Sequence, residues 1–423
     1  MEAKHFPAPA KGLYPPLLKT AAAFLKWLAV AALIGLTAGL AGVAFHFCLD
    51  KAQEFRLSEP WLLSLLPLAG LMTIFMYNTW LPESRGTNMV LSAIRDNKPM
   101  SWKTAPLIFI STVLTHLTGG SAGREGAALK IGGSIASKLA DWLHLDEKDS
   151  RVAVMCGASA AFAALFGTPA TAAIFSIEVV SVGVMYFSAI VPCTVAALTG
   201  YGLALWFGLS PVGFTLAAVP ALGISSLAGT ALLGILAAVL SIIFCFGVHE
   251  TERLFTRRVP DRYLRIAAGG CLVVVLSLLV GSRDYNGAGM EVIARALAGQ
   301  ALPYAFFLKL IFTALTLGTG YRGGEIVPVF FIGATFGCAV SGLIGLPASF
   351  GAALGLAALF CGVTNCPITS IILSVELFGG GGLIYFALVC AVSFMLSGHY
   401  SLYSEQKIVY SKTKAEFVDA RAH

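Results

Sequence analysis

The residues Gly119-Gly120-Ser121-Ala122-Gly123-Arg124-Glu125-Gly126 set an arginine and a glutamate inside a glycine-rich turn. The stretch before them, Thr104–Gly123, carries no Asp, Glu, Lys or Arg. An ionisable side chain at membrane depth is costly and marks a functional site. Glycines at a helix start free backbone N–H groups to face an anion, where the helix dipole also favours negative charge. The carboxylate of Glu125 can occupy the same positive pocket as a small anion, and protonation would neutralise it and let it leave. One residue could thereby couple a proton to an anion, with Gly123, Arg124 and Gly126 supplying the turn around it. The Arg124 side chain itself reads as a structural partner or a surface cation.

Three further turns have comparable chemistry. Gly86-Thr87-Asn88-Met89 reads as a helix N-terminus with capping side chains. Gly323-Gly324-Glu325-Ile326-Val327-Pro328 places glycines and a proline at another helix start. In Gly398–Ser404, the Tyr403 hydroxyl can donate to an anion without bringing charge. The bland alternatives are an ordinary cap and an interfacial tyrosine. His46 and His116 stand alone on apolar faces and read as satisfied core histidines.

These turns must be held by membrane-spanning elements. The chain has 423 residues, 57% hydrophobic and only 12% charged, where a soluble domain carries roughly 25% charged residues. Val179–Val248 and Ile326–Val375 hold no charged residue in 70 and 50 positions, so each must contain several segments of the roughly 20 residues that span a bilayer. Breaks at Ser210-Pro211, Val219-Pro220, Leu346-Pro347 and Cys366-Pro367 imply short, tilted or broken helices, tolerated only where protein or a watery cavity surrounds them. The expected class is an all-α polytopic membrane protein.

The net charge of +6 collects at Lys4, Lys11, Lys19 and Lys26, at Arg253–Arg265, and at Lys407–Arg421. The positive-inside rule puts these segments, and hence both termini, in the cytoplasm and implies an even number of crossings. Charges that flank spans argue against a nucleic-acid partner. The nine cysteines read as buried free thiols. No cofactor and no metal is called for. The first apolar stretch, Trp27–Leu49, is too long for a cleavable signal peptide.

The chain repeats itself. Pro169-Ala170-Thr171-Ala172-Ala173-Ile174-Phe175-Ser176-Ile177-Glu178 answers Pro367-Ile368-Thr369-Ser370-Ile371-Ile372-Leu373-Ser374-Val375-Glu376, 198 residues on, and Glu125 answers Glu325 at 200. Proline opening each segment reads as a helix start, and the terminal glutamates read as matched packing groups or helix-end acceptors, with a proton relay as the weaker alternative. Duplicated halves are typical of secondary transporters, with the substrate near the midplane at helix N-termini. The expected organisation is a segment 1–26 on the cytoplasmic side, one membrane domain 27–412 in two repeats (about 27–210 and 211–412), and a short tail 413–423.

With these motifs in their order, the sequence resembles the CLC family of chloride channels and transporters, over nearly the whole chain. Gly123-Arg124-Glu125-Gly126 matches that family's G-R-E-G turn, Gly324–Pro328 stands at its G-x-F-x-P, and Leu402-Tyr403-Ser404 resembles its central-tyrosine segment. The resemblance implies an inverted-repeat fold of many tilted helices and a homodimer in the lipid bilayer with one ion pathway per subunit. It also implies anion contacts at Gly86, Thr87, Asn88, Met89, Gly123, Arg124, Gly126, Glu325, Ile326, Val327 and Tyr403. The cytoplasmic regulatory domains of eukaryotic members are expected to be missing.

The departures narrow the resemblance. Met89 interrupts the usual G-S-G-I-P, Glu325 takes a normally neutral position, and Val179 stands where coupled chloride exchangers carry a second glutamate. This set is similar to the bacterial fluoride/proton antiporter branch. It implies export of cytoplasmic fluoride in exchange for protons across a bacterial inner membrane, with fluoride resistance as the consequence and Glu125 as gate and sole proton carrier. The alternative is a chloride/proton exchanger or passive chloride channel on the same fold. An intramembrane enzyme is disfavoured, because no nucleophile has a credible distant histidine.

Overall fold

The computed structural model describes residues 17–81, 89–96, 100–216, 218–414 and 416–422. Gly86, Thr87 and Asn88 lie outside the described residues, as does the start of the N-terminal segment.

Among the described residues sixteen α-helices follow one another. The first half holds α1 (Leu17–Ser58), α2 (Leu66–Trp80), α3 (Met89–Asp96), α4 (Thr104–Leu117), α5 (Glu125–Trp142), α6 (Glu147–Phe166), α7 (Pro169–Glu178) and α8 (Ile190–Trp206). The second holds α9 (Ile224–Arg258), α10 (Arg262–Val280), α11 (Met290–Leu297), α12 (Ala305–Gly318), α13 (Ile326–Ser341), α14 (Ala348–Thr364), α15 (Pro367–Phe378) and α16 (Leu383–Leu396). Each helix of the first half has its counterpart 193 to 207 residues further on, so the two short motifs of the sequence belong to a repeat of the whole fold. Six helical stretches, those of α1, α2, α6, α8, α9 and α10, are long and apolar enough to cross a membrane, and the chain is an integral multi-pass membrane protein.

The two charge-free runs break where their prolines stand. The first is interrupted between α8 and α9, and the second divides into α13, α14 and α15. Pro169 and Pro367 open α7 and α15 as first helical residues, where their missing N–H costs nothing. The basic stretch around Arg253–Arg258 is helical rather than a loop: α9 runs on through Arg258, and its last turn carries Arg257 and Arg258, cations suited to a helix C-terminus.

Glu178 at the end of α7 accepts from Ile368 N (3.1 Å), Thr369 N (2.8 Å) and Thr369 Oγ1 (2.5 Å) at the start of α15. Glu376 near the end of α15 accepts from Ala170 N (2.9 Å), Thr171 N (2.8 Å) and Thr171 Oγ1 (2.5 Å) at the start of α7. Each helix end therefore lies against the other's beginning, and α7 and α15 run antiparallel. Equivalent helices running in opposite directions make the repeat an inverted one.

Packing between helices rests on small residues. Without a hydrophobic drive between helices in lipid, close backbone approach supplies the contact. A Cβ on Gly132 of α5 would fall 2.0 Å from Gly157 O of α6, and one on Gly333 of α13 would fall 2.5 Å from Gly355 O of α14. The same crossing is thus built twice.

The sequence reading did not anticipate a small sheet. β1 (Ser181–Val182) pairs in parallel with β2 (Lys407–Tyr410), and β2 pairs antiparallel with β3 (Phe417–Arg421). The strands tie the segment after Tyr403 to the end of α7.

Candidate functional site

α5 and α13 start beside one another. The turns that lead into them are joined by a two-way backbone bridge: Gly123 N donates to Gly324 O (2.6 Å) and Gly324 N to Gly123 O (2.7 Å). His116 Nε2 lies 3.1 Å from Gly123 O, so this histidine is satisfied, as is His46 on Leu165 O and Asp50. The glycines are required by space. A Cβ on Gly123 would lie 2.4 Å from Glu125 Oε2, and one on Gly324 would lie 2.7 Å from Gly126 N and 2.9 Å from Glu125 N.

Glu125 is the first residue of α5 and is completely buried. Its Oε2 accepts from Arg124 N (3.1 Å) and from Val327 N (3.2 Å) in the first turn of α13. The carboxylate thus occupies the spot where a helix N-terminus would hold an anion. Its Oε1 has no hydrogen-bond partner among the described residues.

The next residue, Gly126, lines a cavity of about 20 Å³ together with Val90, Leu91, Phe175, Val179 and Tyr403, among others. That is room for about one water-sized particle. The Tyr403 hydroxyl is buried and has no partner among the described residues. A buried O–H without an acceptor is costly, and an anion in the cavity would supply one.

The structure brings Glu125, Gly123, Gly126, Val327 and Tyr403 together, with Ile326 fully buried at the start of α13. Arg124 contributes its backbone N–H, while its guanidinium turns to Asp50 (Nη1–Oδ1 3.4 Å) and lies 5.6 Å from the centre of the Phe166 ring. Met89 opens α3 and packs against the core, but its neighbours Val90 and Leu91 line the cavity. Glu325 is the N-cap of α13 and is buried.

Sequence reasoning missed the groups that hold Tyr403. The buried Gln406 side chain donates to Val179 O (2.9 Å) and Thr364 O (2.8 Å) and accepts from Asn365 Nδ2 (2.9 Å) and Ser401 Oγ (2.8 Å). That satisfies its amide completely and fixes two walls of the cavity, Val179 and Tyr403, against each other. Arg95 of α3 pairs with Glu405 (Nη2–Oε2 2.8 Å) and also donates to its backbone carbonyl. No motif marks either residue, because their partners come from sequence positions far away.

The family model described as voltage gated chloride channel matches residues 69–398. A chloride/fluoride channel protein of Pseudomonas syringae pv. tomato (strain ATCC BAA-871 / DC3000) is 35% identical over 395 residues, covering 92% of this chain and 87% of that protein. The H(+)/Cl(-) exchange transporter ClcA of Yersinia pestis bv. Antiqua (strain Angola) is 27% identical, covering 83% of this chain and 80% of that one. Among solved structures, a CLC-type fluoride/proton antiporter superposes with a TM-score of 0.88 at 31% identity, covering 93% of this chain and 99% of that one. A slow cyanobacterial Cl−/H+ antiporter shares the fold, with a TM-score of 0.74 at 21% identity over 88% of this chain and 94% of that one. With its inverted repeat, its paired helix starts around Glu125 and this match, the chain belongs to the CLC family of voltage gated chloride channels and their transporter relatives.

Proposed function

We propose that the chain is a secondary active antiporter that exports fluoride in exchange for protons. The observation that carries this reading is the placement of Glu125. Its carboxylate stands in for an anion at the start of α13, with one oxygen unpartnered, and the neighbouring Gly126 lines a cavity of about 20 Å³ with Tyr403, whose hydroxyl is unpartnered. When Glu125 is ionised it competes with the anion for the same N–H donors. When protonated it gives them up, so anion and proton use the site in alternation.

Val179 supports Glu125 as sole proton carrier. It lines the cavity next to Glu178 and cannot hold a proton. Glu178 itself is committed to capping α15. A small, strongly hydrated anion needs short, well-aimed donors to replace its water, and the backbone N–H groups at the starts of α5 and α13 together with Tyr403 Oη are of that kind. The 31% match to a fluoride/proton antiporter favours this ion, and the 35% relative is named for chloride and fluoride together. Gly86, Thr87, Asn88, Met89, Gly123, Arg124, Gly126, Glu325, Ile326, Val327 and Tyr403 form the proposed anion route, Arg124 through its backbone. The protein works as a homodimer in a bacterial inner membrane, with both termini in the cytoplasm and one membrane domain over residues 27–412, and confers fluoride resistance.

The test is ion efflux from proteoliposomes with simultaneous pH recording. A fluoride gradient is expected to drive protons against their own gradient, and Glu125→Gln to abolish that coupling. Proton pumping by a chloride gradient with none by fluoride would replace the reading by a chloride/proton exchanger, and halide flux without proton movement would replace it by a passive channel.

A further inference from the structure

Lys309 of α12 is completely buried. Its Nζ donates to Tyr285 O (3.1 Å) and Gly287 O (2.6 Å) and lies 5.1 Å from the centre of the Phe331 ring. Its partners are therefore backbone carbonyls of one loop, the connection between α10 and α11. That loop is a support for the turn before Glu125. Asn286 Nδ2 donates to Gly119 O (2.9 Å) and to Ser277 Oγ (3.0 Å), and Gly287 N donates to Gly120 O (3.1 Å). Gly287 and Gly289 have φ of +62° and +80°, backbone shapes that few other residues adopt, so the loop path depends on what fastens it.

The same face of α12 grips the turn a second time. Thr313 and Thr316 follow Lys309 at four and seven residues, one stripe of a helix. Thr316 Oγ1 accepts from Ser121 N (3.1 Å), and Thr313 Oγ1 lies 3.0 Å from Ser121 Oγ. The stripe has a partial double in the first half. Thr112 and Thr115 on α4 stand 201 residues before Thr313 and Thr316, but Lys309 is answered by Ile108. The lysine belongs only to the half that braces the Glu125 turn.

We propose that Lys309 is a positioning residue: it fastens residues 285–287, which fix Gly119 and Gly120 and so hold Glu125 between the starts of α5 and α13. The inference rests on the role proposed above for Glu125, but its first test asks nothing of the transported ion. In Lys309→Met an unbranched side chain only one atom shorter is kept and both hydrogen bonds are lost, leaving two buried carbonyls unpaired. Amide hydrogen exchange of the full-length protein in lipid is expected to quicken about tenfold or more over residues 118–124 and to stay unchanged over 348–364. Lys309→Arg is expected to restore part of the protection. Asn286→Ala, which leaves Lys309 in place, is expected to reproduce the change and carries the test if Lys309→Met fails to fold.

Unchanged exchange over 118–124, or an equal rise along the whole chain, would overturn the proposal. In transport, Lys309→Met is expected to lower coupled turnover about tenfold or more in an otherwise native chain, and to have no added effect on anion flux in a Glu125→Gln background. Equal losses in both backgrounds would make Lys309 a general structural residue. If the native protein exchanges no protons for fluoride, the proposed function fails while the hydrogen-exchange result still decides the case of Lys309.

Discussion

At the scale of single residues, the site depends on two atoms without partners and two glycines without room. Tyr403 Oη is buried and unpartnered among the described residues. Removing an unsatisfied polar atom costs folding almost nothing, so Tyr403→Phe is expected to change stability by less than about 0.5 kcal/mol. The loss falls on the anion: its half-saturating concentration in flux assays is expected to rise about tenfold. A thermal melt with unchanged midpoint beside a weakened anion dependence would bear this out, and unchanged anion dependence would remove Tyr403 from the route. Gly123→Ala works from the other side. The new methyl would stand 2.4 Å from Glu125 Oε2 and 3.1 Å from Gly324 O, so the carboxylate must move. Displacing a reacting group by about 1 Å can cost about 100-fold, and coupled turnover is expected to fall by about 10- to 100-fold. A Gly123→Ala protein with native turnover would mean that Glu125 works from another position. Sequence legibility follows the same division. Glu125 and its glycines are contiguous and carry their chemistry on the page. Gln406, Arg95 and Lys309 act through backbone carbonyls 22 to 310 positions away, and no spacing rule exposes such a pairing.

At the scale of elements, the reciprocal caps of α7 and α15 show the matched glutamates as helix-end acceptors. The sequence left open a packing role, a helix-end acceptor and a proton relay. Each carboxylate takes two backbone N–H groups and one threonine hydroxyl at the start of the opposite helix, where the dipole also favours it. Glu178→Ala or Glu376→Ala would strand those donors, at about 1–3 kcal/mol each. Both variants are expected to unfold in detergent at lower temperature while keeping the native ratio of protons to anions. A variant with an intact melt and a lost ratio would instead mark a relay. The small sheet shows the limit of reading elements from pattern. β1 is two residues long and pairs with a strand more than 200 positions later, so neither strand carries a period that sequence alone could reveal.

At the scale of the whole molecule, the inverted repeat makes a claim about sides of the membrane. α10 has 19 residues and is long and apolar enough to span the membrane; as a span it places the short connection before it and the loop after it on opposite faces. The charges agree: Arg253, Arg257, Arg258 and Arg262 cluster at the first end, whereas at the second Arg56 and Arg283 share the lining of a shallow cavity of about 80 Å³ with Asp284 and Glu291. On the positive-inside rule the Arg253 end is expected in the cytoplasm and the Arg283 end outside. The same inversion puts α2 and α10, counterparts across the repeat, in opposite senses through the bilayer. The check is cysteine labelling in intact cells with a reagent that does not cross membranes. Cys48 and Cys271 are exposed and must first be replaced by serine. Arg253 and Arg283 are both exposed, so a cysteine at either place is reachable from its own side. Arg283→Cys is expected to label in intact cells, and Arg253→Cys only after the cells are opened. The reverse pattern would turn the molecule over and overturn the positive-inside assignment, while the direction of exchange, set by the ion gradients, would stay that of proton-driven fluoride export. Labelling of both positions in intact cells would be incompatible with α10 as a span.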